Sequence, residues 1–242
     1  MSLSQILETM RSRRKTMTVY ASEPIADLDL AFEARNVSLR YEPLPEGDQE
    51  GFIVVSDDGG YIGSVGLGAV AELVSPESSR GLSTQHRNSA FQCLLELLDD
   101  TVFRSLSKRQ LLATSREIED RAWRVGRGEL HTGFQNLSAM KEQAPVYEKL
   151  GRRGDLSVHV YGLPDWMPDS MTDVWFYPVQ STEIGRYWFV VYDGGGDDLN
   201  ACALLAEETA PGEFEGFWTY DPTVVADIKL HVSQRYGPAK SP

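Results

Sequence analysis

Hydrophobic and polar positions along the chain follow two periods. Leu3, Ile6, Leu7 and Met10 recur at helical spacing over residues 3–13, with Ser2 or Ser4 available as a cap. Thr16–Tyr20 reads as a short strand. From Leu28 to Leu44 the apolar positions alternate (Leu28, Leu30, Phe32, then Val37, Leu39, Tyr41), which predicts one or two strands meeting near Arg35-Asn36. Phe52–Val55 and Tyr61–Val65 flank Asp57-Asp58-Gly59-Gly60, residues that supply the positive φ of a hairpin turn. A short helix is predicted at Ala69–Val74 and stops before Pro76. The polar, Ser-rich stretch 75–87 is the best linker candidate.

Beyond it, Phe91, Leu94, Leu95 and Leu98 share one face of a predicted helix over Ser89–Leu98. A second helix is predicted from Lys108 to about Arg124, with Ser107 as its cap. Its core stripe is Leu111, Ser115, Ile118, Ala122 and Val125, and Arg116–Asp120, Glu117–Arg121 and Asp120–Arg124 lie one turn apart on its other faces. Glu129–Gln135 reads as a strand, Ser138–Leu150 as a helix and Leu156–Tyr161 as a strand. Val174–Pro178, Tyr187–Tyr192, Ala201–Glu207 and Phe214–Tyr220 read as a meander, closed by a helix over Thr223–Val232. Runs of strands with helices grouped elsewhere predict an α+β fold, a largely antiparallel sheet with a C-terminal β-meander and helices packed on it. Residues 1–242 are expected to form a single domain, divisible into an N-terminal subdomain 1–75 and a C-terminal subdomain 88–236 joined by the Ser-rich loop 76–87.

Composition narrows the class. The chain is 41% hydrophobic and 24% charged, an ordinary makeup for a soluble globular protein. No apolar run approaches the roughly 18 residues that span a bilayer, so no membrane insertion is expected. The N-terminus lacks the apolar core of a signal peptide. Cys93 and Cys202 are too few for a disulfide framework or a zinc site, so a cytoplasmic, reduced setting is expected. Asp plus Glu number 36 against 23 Lys plus Arg, a net charge of −13, and only six of the bases are Lys. At about 1 M salt the Debye length shrinks to about 3 Å and the self-repulsion of such a surface is screened, so the pattern points to a halophile. It argues against direct nucleic-acid binding, which needs a basic footprint, and against adhesion to an anionic membrane.

Candidate chemistry is sparse. Gly66-Leu67-Gly68-Ala69-Val70-Ala71 has the spacing of a dinucleotide fingerprint, but Pro76 ends its helix early and no βαβ unit follows. A packed strand-to-helix turn is the stronger reading. Asp193-Gly-Gly-Gly-Asp197-Asp198 gathers carboxylates without the alternation of an EF-hand, so a solvated loop between strands is expected. Gly195-Gly196-Asp197-Asp198-Leu199 shares letters with the GGDEF signature of diguanylate cyclases. No metal-carboxylate strand or nucleotide-binding segment precedes it, and cyclase activity is rejected. His86, His131, His159 and His231 show no i, i+4 pair and no zincin motif, and His159 reads as a satisfied sheet residue. No Gly-x-Ser-x-Gly elbow occurs, and both cysteines lie in apolar segments as inert thiols. No cofactor, metal or catalytic residue is expected. Trp123, Trp175, Trp188, Trp218, Tyr161, Tyr187, Tyr192 and Tyr220 gather in the second half, where the filling of sheet faces accounts for most of them.

Ser115-Arg-Glu-Ile-Glu-Asp-Arg-Ala122 followed by Thr132-Gly-Phe-Gln135 carries a resemblance. So do Tyr147-Glu-Lys-Leu150, Val158-His-Val-Tyr-Gly162, Trp188-Phe-Val-Val-Tyr-Asp193 and Phe214-Glu-Gly-Phe-Trp-Thr-Tyr-Asp-Pro222. In this order they resemble the DICT sensory domain, a family named for its occurrence beside diguanylate cyclases and two-component signalling proteins. Phe52-Ile-Val-Val55 and Gly63-Ser-Val-Gly-Leu67 also look like the family's N-terminal part, and the acidic, Lys-poor composition fits a haloarchaeal branch. The resemblance implies a cytoplasmic sensor that binds a signal or a partner and regulates a separate output protein, without chemistry of its own. No kinase, cyclase or DNA-binding segment is recognisable in the chain, which is expected to act as a stand-alone member.

Glu119, Gln135, Tyr161, Trp188 and Trp218 are the candidate ligand-binding residues, and the bound small molecule or chromophore is unspecified. The expected partner is a signalling or regulatory protein, with a homodimer as a further arrangement. An interaction scaffold without a ligand is the first alternative and an uncharacterised hydrolase or nucleotide enzyme the second. A sensor predicts a fillable pocket, a scaffold an exposed apolar patch or symmetric face, and an enzyme converging titratable groups in a cleft.

Overall fold

The computed structural model describes residues 1–13, 15–22, 36–44, 51–57, 60–67, 97, 99–168, 171 and 173–237. The strand expected at 28–35, the short helix at 69–74, the Ser-rich loop, nearly all of the helix at 89–98 with Cys93, and His86 lie outside the described residues. The chain divides into two compact units, Met10–Arg104 and Met1–Thr9 with Ser105–Pro242.

In the smaller unit, strands β1 (Lys15–Ala21), β2 (Val37–Pro43), β3 (Phe52–Asp57) and β4 (Gly60–Gly66) form one sheet in the order β2-β1-β3-β4. β3 and β4 are the expected hairpin. β1 runs parallel to β2 and antiparallel to β3. Alternation of Met17 and Val19 on β1 with Ile53 and Val55 on β3 puts all four side chains in one buried layer. Lys15 is buried as well, its ammonium held by the Asp99 carboxylate.

In the larger unit, seven strands lie in the order β5-β11-β10-β9-β6-β7-β8. They are β5 (Phe103–Ser107), β6 (Arg127–Asn136), β7 (Asp155–Leu163), β8 (Val174–Pro178), β9 (Tyr187–Asp193), β10 (Ala201–Ala210) and β11 (Glu213–Thr219). The expected meander is present as β9, β10 and β11, each antiparallel to the next. β8 stands apart from it, joining β7 in parallel at the far edge, and β6 and β7 are parallel too. The α+β class with antiparallel pairs in the majority holds, and the parallel pairs need crossovers rather than hairpins.

Helices α1 (Leu3–Ser12), α2 (Lys108–Val125), α3 (Ala144–Gly151), α4 (Thr182–Arg186) and α5 (Pro222–Tyr236) complete the described elements, with 3₁₀ turns at Leu137–Gln143, Gly194–Gly196 and Asp198–Asn200. The single helix expected over 138–150 is thus split. Pro145 in the first turn of α3 has no N–H to carry an α-helical ladder back into the preceding turn. α1 buries Leu3, Ile6, Leu7 and Met10, the stripe that its spacing predicts. α2 packs on β6, β9 and β10, and α5 packs on β9 and β10. Covered by helices, β9 buries Tyr187 through Tyr192 without interruption. Asp221 caps α5 by accepting from the Thr223 N–H at 2.9 Å, with Pro222 starting the helix. On α2 the expected Asp120–Arg124 pair forms at 3.6 Å, whereas Arg116 turns to Glu119. No helix among the described residues is long and apolar enough to cross a membrane.

Candidate functional site

Register places side chains in rows on the α2 side of the sheet. Phe134 on β6 pairs with Trp188 on β9, which pairs with Ala206 on β10, which pairs with Gly216 on β11. One step further in, Thr132, Val190, Leu204 and Trp218 form the next row. The Phe134 row opens at the sheet's end into a cavity of about 270 Å³. Its walls include Leu112, Phe134, Trp188 and Phe214, and its polar lining includes Gln135, Glu142 and Glu208.

Local backbone chemistry shapes this end of the sheet. Gln135 has φ +51, a left-handed conformation costly for a residue with a Cβ, and there the β6–β7 register breaks. Its side chain compensates: Nε2 donates to Glu208 Oε2 at 2.7 Å. The other oxygen of Glu208 accepts from the Gly212 N–H at 2.8 Å, where Gly212 takes φ +79 in the β10–β11 turn. One carboxylate therefore fixes both the end of β6 and the hairpin that carries Phe214. Trp188 meets Phe214 edge to face, with ring centroids 6.1 Å apart and planes at 89°.

Two hydrogen-bonded links lead from the cavity wall into α2. Trp188 Nε1 donates to Ser115 Oγ at 3.1 Å. The Phe134 ring packs edge to face on Tyr147, whose hydroxyl donates to Glu119 Oε1 at 2.6 Å and to Thr132 Oγ1 at 3.1 Å as alternatives. Glu119 is buried, and its second oxygen holds Arg116. Burial raises the Glu119 carboxyl above its ordinary range, against the opposing pull of Arg116 and Tyr147. Burial and the neighbouring Glu119 push the Tyr147 hydroxyl well above its usual value.

The opposite face of the sheet carries a separate polar network. His131 and His159 sit opposite each other on β6 and β7, their rings stacked at 4.5 Å. His131 Nδ1 meets the Tyr161 hydroxyl and His159 Nδ1 the Tyr177 hydroxyl, both at 3.0 Å. His159 Nε2 is buried with no hydrogen-bond partner among the described residues, so the expectation of a satisfied histidine fails at one nitrogen. Burial, then the adjacent His131, lowers the His159 pKa to about 4. Lys229 on α5 bridges Glu129 at 2.6 Å and Asp193 at 2.7 Å. The His131 hydrogen bond, opposed by burial and joined by Lys229, lowers the Glu129 pKa to about 2. Asp193 also accepts from the backbone N–H groups of Glu129 and Gly195. The carboxylate run that reads as a solvated loop is therefore anchored at its first residue. Burial pushes the Cys202 thiol up to about 12, leaving it inert. Among the described residues, no group of three or more His, Cys, Asp or Glu could hold a metal ion.

Of the five candidate residues, the cavity gathers two, Gln135 and Trp188. Glu119 lies behind its wall, bonded to Tyr147. Trp218 is buried in the adjacent row under α2, and Tyr161 belongs to the histidine network on the other face. Leu112, Glu142, Phe134, Glu208 and Phe214 are among the wall residues that sequence reasoning did not select. The signal for the last two was the Pro211-Gly212 turn, which brings a carboxylate and an aromatic ring together across a hairpin.

The family described as "Sensory domain in DIguanylate Cyclases and Two-component system" (DICT) matches residues 88–209, just over half of the chain. No curated protein sequence matches. Among solved structures, the polyphosphate kinase from Porphyromonas gingivalis is similar at 12% identity with a TM-score of 0.36, over 96% of this chain and 48% of that one. This chain spans about half the length of that enzyme, and a likeness so weak carries no inference about fold or activity.

Proposed function

The chain belongs to the DICT family of sensory domains, and from that premise we propose that it senses a small organic molecule bound in the cavity at the end of the seven-stranded sheet. The observation that carries this reading is the Trp188–Ser115 bond, which couples an aromatic wall of the cavity to the middle of α2. A ligand that tilts the indole changes a buried hydrogen bond on α2, and α2 is then the element that reports occupancy to a separate output protein in the cytoplasm. The cavity sets an apolar wall of Leu112, Phe134, Trp188 and Phe214 beside polar groups of Gln135, Gln143, Glu142, Glu208 and Lys108, which can orient a ligand held against that wall. Binding alone suffices for this role, with no bond made or broken.

The test is a titration of isotope-labelled protein with small organic molecules, cationic, anionic and neutral, following the Trp188 indole N–H resonance by NMR. Trp188→Phe assigns that resonance, and Ala139→Trp closes the mouth of the cavity. The expected result is a ligand that shifts the Trp188 resonance in the wild type and leaves Ala139→Trp unchanged. Binding that spares Trp188, or that survives in Ala139→Trp, defeats the proposal, as does a panel without any binder.

A second reading, docking of a signalling protein or a second copy of this chain, draws support from Trp175. It stands 60% exposed on β8, one of the two edge strands of the seven-stranded sheet as described. Sedimentation of Trp175→Ser beside the wild type tests the homodimer: a mass that falls to one chain in the variant alone supports it.

A further inference from the structure

We infer that the ligand of this cavity is a small organic cation, an inference that rests on the reading of the cavity as a ligand site. Three aromatic side chains, Phe134, Trp188 and Phe214, stand on its wall, with the indole edge-to-face against Phe214. Aromatic faces attract cations through their quadrupoles, indole most strongly, and more so where water is excluded. Among the described residues, the titratable groups lining the same cavity are Glu142, Glu208 and Lys108, two carboxylates and one ammonium. Glu208 is already fixed in place by Gln135 and Gly212, so its charge is presented without the cost of ordering a free side chain.

The long-range field has the same sign, since the chain carries a net charge of −13. Among the described lining residues, an anionic ligand meets the two carboxylates and a single solvent-exposed ammonium, that of Lys108. The size also selects. A cavity of about 270 Å³ falls just short of the roughly 300–1,000 Å³ typical of drug-sized ligands, so the cation has few heavy atoms. Quaternary alkylammonium compounds, with an apolar charged head and no N–H in need of an acceptor, match aromatic walls and a carboxylate rim.

The experiment compares choline with its uncharged isostere 3,3-dimethyl-1-butanol and with benzoate, each titrated into the full chain while the Trp188 indole resonance is followed. The expected result is saturable binding of choline, roughly tenfold or more tighter than the isostere, the ratio that desolvated cation–π and carboxylate contacts supply. Glu142→Gln, a change at an exposed position that leaves the fold intact, weakens choline several-fold and leaves the isostere unchanged. Equal binding of choline and the isostere, or a preference for benzoate, overturns the cationic assignment while leaving the cavity a ligand site. Silence of Trp188 toward choline with a response to another member of the wider panel has the same meaning. Silence toward every compound removes the ligand site itself, and the assignment with it.

Discussion

The Trp188 indole donates to Ser115 Oγ at 3.1 Å, and both residues are buried. This one bond accounts for the polar residue in the otherwise apolar stripe of α2. Serine is the side chain small enough to sit under the sheet and still accept from the indole. Ser115→Ala leaves the donor without a partner in a dry environment, a loss of about 1–3 kcal/mol. Urea unfolding at neutral pH reads it, and the indole N–H resonance moves at the same time. A variant as stable as the wild type, with an unmoved resonance, removes the link between cavity and helix.

Gln135 poses a test of backbone against side chain. At φ +51, any residue with a Cβ is strained, and glycine is not. Gln135→Ala keeps the strain and loses the bond to Glu208, whereas Gln135→Gly loses the bond and relieves the strain. The glycine variant is therefore expected to be more stable than the alanine variant by about 1 kcal/mol. Thermal unfolding of the pair decides it, and alanine equal to or better than glycine shows the conformation costs nothing.

Local periodicity made most elements legible. The stripe of α1, the β3–β4 hairpin and the β9–β11 meander all follow from contacts between residues near one another in sequence. What stayed hidden needs register between distant strands. His131 and His159 face each other because β6 and β7 are parallel with those two residues paired, and no i, i+4 rule exposes a partner 28 positions away. Phe134 and Trp188 likewise meet only through register, here across the antiparallel β6–β9 pair. Gln135 and Trp188 could be selected from their motifs, one at a strand end and one in an aromatic run. Tyr161 and Trp218 share those credentials, but alternation sends Tyr161 to the opposite face and one residue pair moves Trp218 inward from the mouth.

Glu119 gives stability a pH dependence at the buried end of this network. Its folded-state pKa lies above the ordinary 4.5 because burial disfavours the carboxylate. The folded state then holds the proton more tightly than the unfolded chain, so this group's contribution is full below about pH 4.5 and declines as pH rises through the folded value. Glu119→Gln still accepts from Tyr147 and has no proton to lose. The stability of the wild type relative to Glu119→Gln is therefore expected to fall between acidic and neutral pH. Denaturation midpoints of both proteins across that range check it, and a constant difference rules it out.

The histidine face has the opposite sign. His159 is held neutral, with a folded pKa of about 4 against an ordinary 6.5, so the unfolded chain binds its proton first. Its contribution is present above pH 6.5 and is lost as the pH falls toward about 4. Glu129, lowered from 4.5 to about 2, loses its contribution in the window beneath. Acid should therefore lower the stability of the fold over two overlapping pH windows. His159→Phe, which keeps the stack on His131, is expected to flatten the stability curve between pH 6.5 and 4, and Glu129→Gln to flatten it only below 4.5. Each variant sits at a different step because Glu129 is bound by Lys229 and His131, whereas His159 is defined by burial beside another imidazole. Urea midpoints at closely spaced pH values separate the two windows, and identical acid limbs in both variants and the wild type show that neither group titrates differently on folding.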